Sequence, residues 1–325
     1  MPELPEVQTI VSDLNKKIKG DTIVGFWSDW KKAVKNISAK KFGEEIQGRK
    51  ILGARRIGKN IFIDLSDGKT IYIHLKMTGH LLVKPHYNTN QRINANQRIA
   101  NDSEKLKANE AESYFSERVN QYVRHIFYLK IQHPSSILPS KRGGGNTDYN
   151  KTLEFSDLRK FGKIVLVNTD KIENLKEIKS LGMDALNRKF TLKKFKEILK
   201  KRQNSLIGVI LMNQNLIAGI GNIYRSEILF DAKILPTKKV NDLKSKEIEK
   251  LFKSIKKILK KAVKMRGTSD SDYRDTSGAP GRFHKILKVY RRDGKKCKKC
   301  GMIIKRIQQM DCTQNFYGRT SLYDN

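Results

Sequence analysis

Cysteine is nearly absent: the chain of 325 residues has three, Cys297, Cys300 and Cys312, all near its end. Thiols so few and so placed exclude a disulfide framework and suit a reducing compartment. Acidic residues are also scarce, with 33 Asp and Glu against 67 Lys and Arg, a net charge of +34. That imbalance points to a polyanionic partner, nucleic acid first and an anionic membrane surface second. AT-rich coding also produces lysine, so charge alone does not decide. No stretch reaches the roughly 18–20 apolar residues of a membrane span. The opening Met1-Pro2-Glu3-Leu4-Pro5-Glu6 lacks the basic region and apolar run of a signal peptide. A soluble intracellular protein of about two domains is therefore expected.

Apolar residues are present in patterns. Val7, Ile10, Val11 and Leu14 have helical spacing, predicting a helix over Val7–Ile18. Ile51–Leu52, Asn60–Leu65, Thr70–Leu75, Tyr122–Ile131, Thr152–Phe155 and Lys163–Val167 read as strands, with a hairpin turn at Ser66–Lys69. Residues 84–121 are polar and read as a surface insertion, partly disordered; Pro134–Asn150 is a second loop. From Asn174 to Met265 the pattern is helical, and Ile248, Leu251, Phe252, Ile255, Ile258, Leu259 and Val263 form one stripe among solvated lysines.

Three features can carry chemistry. Removal of Met1 exposes the secondary amine of Pro2, with Glu3 beside it. A terminal amine has a pKa of roughly 7.7–8.0, so it can attack an anomeric carbon and form a Schiff base, while a neighbouring carboxylate moves protons. An ordinary flexible start is the alternative. In Ala218-Gly219-Ile220-Gly221-Asn222 the glycines permit a tight turn whose N–H groups can face a phosphate, with Asn222 at a helix N-terminus; interhelical packing is the alternative. Cys297-Lys298-Lys299-Cys300 has the spacing of half a zinc site. Only Cys312 remains to extend it, and no histidine follows His284.

Taken together and in this order, these features resemble the formamidopyrimidine-DNA glycosylases of the bacterial MutM type. Met1–Val7 is similar to the family's N-terminal signature, Asn213–Pro236 to its helix–two-turns–helix element, and Gly267–Tyr290 with Cys297-x-x-Cys300 to its damaged-base loop and finger. The resemblance implies an α+β fold. An N-terminal β-sandwich with flanking helices would span 1–170, a helical helix–two-turns–helix domain 171–289, and a small β-hairpin finger 290–325. It implies a bifunctional glycosylase and abasic-site lyase of base excision repair, acting on 8-oxoguanine and formamidopyrimidines in double-stranded damaged DNA. It further implies a monomer without membrane association, in the bacterial cytosol and nucleoid. Pro2 would be the nucleophile, Glu3 the acid that opens the sugar, Glu6 a support, and Lys59 a phosphate contact that assists elimination. Arg319 would bind phosphates flanking the lesion and aid the second elimination. His74, His125 and Asn222 would contact DNA, Met77 would fill the vacated stack, and Arg159 and Phe161 would face the orphaned cytosine. The segment Thr268–Arg282 would be flexible and close over the base. The sequence departs from the family in the finger: the family continues with a second Cys pair where this sequence has Asp324 and Asn325 and stops, so either the sequence is truncated or the finger holds its hairpin with little or no zinc at Cys297 and Cys300, half of the usual four-Cys site. Two other readings stand beside this one: an endonuclease VIII-like enzyme for pyrimidine lesions, and a non-catalytic DNA-binding relative.

Overall fold

The computed structural model describes residues 1–86, 113–131, 149–269, 272–310 and 317–323, the last hairpin from 307 onward as backbone only. Helix α1 (Leu4–Lys17) starts earlier than the periodicity of its apolar face. Pro5 sits in the first turn, where a missing N–H costs nothing, and the Glu6 carboxylate accepts the Glu3 N–H at 2.8 Å. The expected Val7, Ile10, Val11 and Leu14 are buried. They belong to one hydrophobic core and Leu4 to a second, so α1 joins the two.

Nine strands form two sheets: β1 (Thr22–Ser28), β2 (Val34–Lys35), β3 (Ile51–Ile57), β4 (Asn60–Leu65), β5 (Lys69–His74), β6 (His80–Pro85), β7 (Val123–Lys130), β8 (Lys151–Ser156) and β9 (Lys163–Asn168). One sheet has the order β1-β7-β8-β6 and the other β2-β9-β5-β4-β3. Ile61, Ile63, Ile71 and Ile73 of the second share a core with Leu81, Phe127, Leu129, Leu153 and Phe155 of the first, which makes a sandwich. The opposite face of the five-stranded sheet is covered too, because Phe62 and Tyr72 pack with Ile172 and Ile178. The turn between β4 and β5 has positive φ at Asp67 (58°) and Gly68 (67°), as a primed hairpin turn requires.

The polar insertion is narrower than 84–121. Lys84 and Pro85 end strand β6, paired with Thr152 and Lys151. Residues 113–121 fold as a helical turn and a 3-10 turn (Arg118–Asn120), with Asn120 completely buried. Glu117 and Asn120 of this stretch have partners in the loop after Gly267, Arg274 and Gly278. Residues 87–112 lie outside the described residues, as do 132–148 of the second loop.

Helix α2 (Ala39–Ile46) lies between β2 and β3 and buries Phe42 and Ile46 in the sandwich core, whereas the second half contains α3 (Lys176–Lys179), α4 (Leu192–Lys200), α5 (Ile207–Met212), α6 (Asn222–Ala232) and α7 (Ser245–Lys264). Helix α7 buries Leu251, Ile255, Ile258 and Leu259, as its stripe predicts. Its Lys256 is more than a solvated charge, since the ammonium lies 4.8 Å over the Phe190 ring and donates to the Ala185 carbonyl at 3.0 Å. The helical reading of 174–265 is interrupted by a parallel pair, β10 (Met183–Asp184) and β11 (Ile217–Ala218). A terminal hairpin of β12 (Ile304–Met310) and β13 (Tyr317–Tyr323) follows. Glu227 of α6 accepts the N–H groups of Lys288, Val289 and Tyr290 at 2.9–3.0 Å, fixing the approach to this hairpin. Among the described residues no helix is long and apolar enough to cross a membrane.

Candidate active site

The start of the chain is inserted between the two cores. The Leu4 N–H donates to the Gly219 carbonyl at 3.0 Å. Pro2 is buried and precedes Glu3, whose residue is 2% exposed. Three backbone N–H groups donate to the Glu3 carboxylate: Gly221 at 2.8 Å, Ile223 at 2.9 Å and Tyr224 at 3.4 Å. These are the free donors at the start of α6, where a helix end favours an anion. The two glycine N–H groups of this turn are therefore taken by side chains and not free for a phosphate. Gly221 serves Glu3, and the Gly219 N–H donates to the Gln214 side-chain oxygen at 2.9 Å. The glycines are needed for closeness: a Cβ at Gly221 would lie 2.5 Å from the Glu3 carboxyl carbon, and one at Gly219 2.3 Å from Leu4.

Glu6, 1% exposed, accepts from the Glu3 N–H, from the Thr268 N–H at 2.7 Å and from the Tyr224 hydroxyl at 2.5 Å. Burial, reinforced by the charge of Glu3, pushes its carboxyl up to about 7 despite these donors. Lys59 lies in the turn between β3 and β4 and keeps some exposed surface. Burial of its ammonium lowers its pKa, while Glu3 and Glu6 pull the other way, which places Lys59 within reach of both charges. That turn is held from the other half: Asp184 accepts the Gly58 N–H at 3.0 Å and pairs with Arg56, both side chains nearly buried. Gly58 has φ of 58° and lies against Ala218.

Beside this cluster, His74 accepts the Lys76 N–H on Nδ1 at 3.0 Å. Burial and the cations Lys76, Lys163 and Lys59 lower its pKa to about 3, so the ring is neutral and its Nε2 carries the proton. Met77, Arg159 and Phe161 are exposed on two adjacent loops. The fully buried Asp157 pins both: its carboxylate accepts the Phe161 N–H at 2.9 Å, the Gly162 N–H at 2.8 Å and the Thr78 hydroxyl. Thr78 Oγ1 in turn accepts the Arg159 N–H at 3.1 Å. Asn222 is half-buried at the start of α6, and its side-chain oxygen accepts from the buried Arg225 at 2.6 Å. That bond turns the amide nitrogen of Asn222 away from Arg225. Burial lowers the Arg225 pKa to about 10, against the pull of Glu3.

Two further expectations are corrected. His125 is not a DNA contact: it is completely buried, packed against Phe26, Trp30 and Phe155, and among the described residues neither ring nitrogen has a hydrogen-bond partner. It alternates inward with Phe127 and Leu129 along β7. The segment Thr268–Arg282 is largely anchored rather than free. The Val83 N–H donates to the Thr276 carbonyl at 2.8 Å, Thr276 donates to Asp13 at 3.0 Å, and Asp275 pairs with Arg266 at 2.7 Å. Residues 270 and 271 lie outside the described residues. Tyr224, Asp184 and Asp157 are organisers that reading the sequence did not assign.

In the finger, Arg319 sits on β13 opposite Gln308, and its side chain lies outside the described residues. Cys297 is buried and accepts the Lys299 N–H on sulfur at 3.4 Å, and Cys300 is exposed. Among the described residues no group of three metal-binding side chains gathers; Cys312 and Asp324 lie outside them.

Residues 1–164 match the family model of the formamidopyrimidine-DNA glycosylase N-terminal domain, and residues 181–274 that of the formamidopyrimidine-DNA glycosylase H2TH domain. Over 306 residues the chain is 35% identical to a formamidopyrimidine-DNA glycosylase of Carboxydothermus hydrogenoformans, covering 94% of each. Over 301 residues it is 33% identical to that of Pelotomaculum thermopropionicum, covering 93% of this chain and 92% of the relative. Among solved structures, a Lactococcus lactis Fpg mutant in complex with Fapy-dG-containing DNA superposes with a TM-score of 0.74 at 27% identity, covering 99% of this chain and 98% of that one. The complex of the Lactococcus lactis enzyme with abasic-site DNA gives 0.73 at 26%, covering 98% and 97%. The chain belongs to the formamidopyrimidine-DNA glycosylase family, DNA glycosylases of base excision repair.

Proposed function

We propose that the chain removes oxidised purines, 8-oxoguanine opposite cytosine and formamidopyrimidines, from duplex DNA and then cleaves the abasic site by β,δ-elimination. The observation that carries this reading is the cluster at the chain's own start, Pro2 followed by buried Glu3 and Glu6 within the field of Lys59. Once Met1 is removed, the neutral Pro2 nitrogen attacks C1′. The glycosidic bond breaks, the purine leaves with a proton, the sugar ring opens, and an iminium joins nitrogen to C1′. Glu3 is the carboxylate beside that sugar, held still by three backbone donors, so its geometry is set before substrate arrives. The lowered pKa of Lys59 raises its neutral fraction, which suits a base for the C2′ proton in β-elimination.

His74, neutral with a proton on Nε2, and Asn222, with its amide oriented by Arg225, would donate to phosphates; Arg319 would do so from the hairpin. Met77, Arg159 and Phe161 would enter the stack as the nucleotide leaves it, with Arg159 facing cytosine. The described residues supply two thiols of a zinc site, Cys297 and Cys300, and no third donor beside them.

Borohydride reduction tests the reading. The mature protein should be trapped covalently on an 8-oxoguanine duplex, and acetylation of the Pro2 nitrogen should abolish trapping. Equal nicking after acetylation would overturn it. One Lactococcus neighbour is a complex with oxidised-pyrimidine DNA, which favours testing pyrimidine lesions as a second substrate class in the same assay.

A further inference from the structure

The loop that follows Gly267 begins in the active site, since its Thr268 N–H donates to Glu6 and a Cβ at Gly267 would lie 2.6 Å from the Glu6 carboxylate. Its far turn, Asp275–Ala279, is closed by the Asp275 N–H donating to the Ala279 carbonyl at 2.9 Å and by Asp275 accepting the Ser277 N–H at 2.8 Å. One side of this turn is held by the sandwich: Lys17 donates to Ser277 at 2.7 Å, and Val83 and Asp13 hold Thr276. The other side is held by residues 114–120, at the close of the polar insertion. The buried Asn120 amide donates to the Tyr114 carbonyl at 2.6 Å and to the Gly278 carbonyl at 3.2 Å. Glu117 pairs with Arg274 at 2.9 Å. Phe115 lies 3.2 Å from where a Cβ on Gly278 would stand, and Lys84 lies 5.4 Å over the Phe115 ring. At Gly278, φ is 78°.

We propose that residues 114–120 are a positioning brace for the loop that meets the damaged base, with Glu117 and Asn120 setting where that loop stands relative to Glu6. The inference rests on the glycosylase reading above and deepens it. The brace acts on the step that needs a base, its release from the sugar, and leaves the elimination chemistry of a preformed abasic site alone. Among the described residues, the side-chain hydrogen bonds and ion pair of Glu117 and Asn120 go to Tyr114, Arg274 and Gly278 and not to Pro2, Glu3 or Lys59. Lesion choice is therefore set in part by a stretch of chain outside the reacting cluster.

The test compares Glu117→Ala, Glu117→Asp and Asn120→Ala in the full chain by two single-turnover rates, base release from an 8-oxoguanine duplex and cleavage of a preformed abasic duplex. Losing one ion pair or the buried amide bonds should slow base release about threefold to tenfold. Abasic cleavage and borohydride trapping on abasic DNA should stay within about twofold, and Glu117→Asp should restore most of the loss. Glu117 is on the surface side of the pair, so its variants report even where Asn120→Ala does not fold. Unchanged base release in Glu117→Ala would overturn the brace, as would an equal fall in both rates. Failure of the unmodified protein to be trapped on abasic DNA would instead overturn the reading on which the brace rests.

Discussion

Gly221→Ala isolates the position of Glu3 with a single methyl group. The backbone at Gly221 is extended (φ −127°, ψ −161°), open to any residue, so the substitution carries no conformational penalty. The new Cβ would stand 2.5 Å from both the Glu3 carboxyl carbon and Oε1, and 2.9 Å from Cγ. Ordinary carbon contacts need about 3.5–4.0 Å, so the carboxylate must retreat by about 1 Å. It has no room to do so freely, being buried and bonded to Gly221, Ile223 and Tyr224. Overpacking of this kind costs about 1–3 kcal/mol of stability. A reacting group displaced by about 1 Å loses on the order of a hundredfold in rate. Single-turnover base release and borohydride trapping on an 8-oxoguanine duplex should both fall by about that factor, with the urea midpoint shifted modestly. A variant that excises within about twofold of the unmodified protein, with an unfolding transition showing it folded, would refute the argument that backbone donors fix Glu3 for the reaction.

Two further outcomes are expected. Asp184→Ala leaves Arg56 unpaired where the partners are 9% and 12% exposed; breaking such a pair costs about 3–5 kcal/mol, read as a lower urea midpoint, and it loosens the Lys59 turn, so abasic cleavage slows as well. Glu6 binds its proton more tightly folded (about 7) than in the ordinary carboxyl range near 4.5. The folded state then holds more protons between those values, so the Glu6 contribution is full below about 4.5 and is lost as pH rises through about 7. Urea midpoints from pH 5 to 8 should show that decline, and Glu6→Gln should flatten it; an unchanged slope in the variant would sink the assignment.

Much of the fold is legible because burial imposes periodicity. The α1 and α7 stripes and the strands β4, β5 and β9 carry enough apolar residues to declare themselves. Strand β1 was hidden by its irregular register between Ile23 and Gly25, and β6 by Pro85 and the polar run that follows it. Pro2, Glu3 and Lys59 are found through the motif around them. Their organisers are not, because Tyr224 meets Glu6 across 218 positions and Asp184 meets Gly58 across 126. No local pattern announces such pairs. His125 shows the reverse error: the family resemblance suggested a DNA contact, yet its parity with Phe127 and Leu129 on one strand already placed it inward.

The carboxylate of the third residue completes a helix that begins only after position 221. Severed between the two halves, the N-terminal fragment would carry a stranded acid and the C-terminal fragment an open helix end. Each piece is therefore an incomplete body, and catalytic competence becomes a readout of their rejoining. Cleaved chains of this protein are expected to regain function only as a reassembled pair, with the first few residues acting as the plug that seats one fragment in the other.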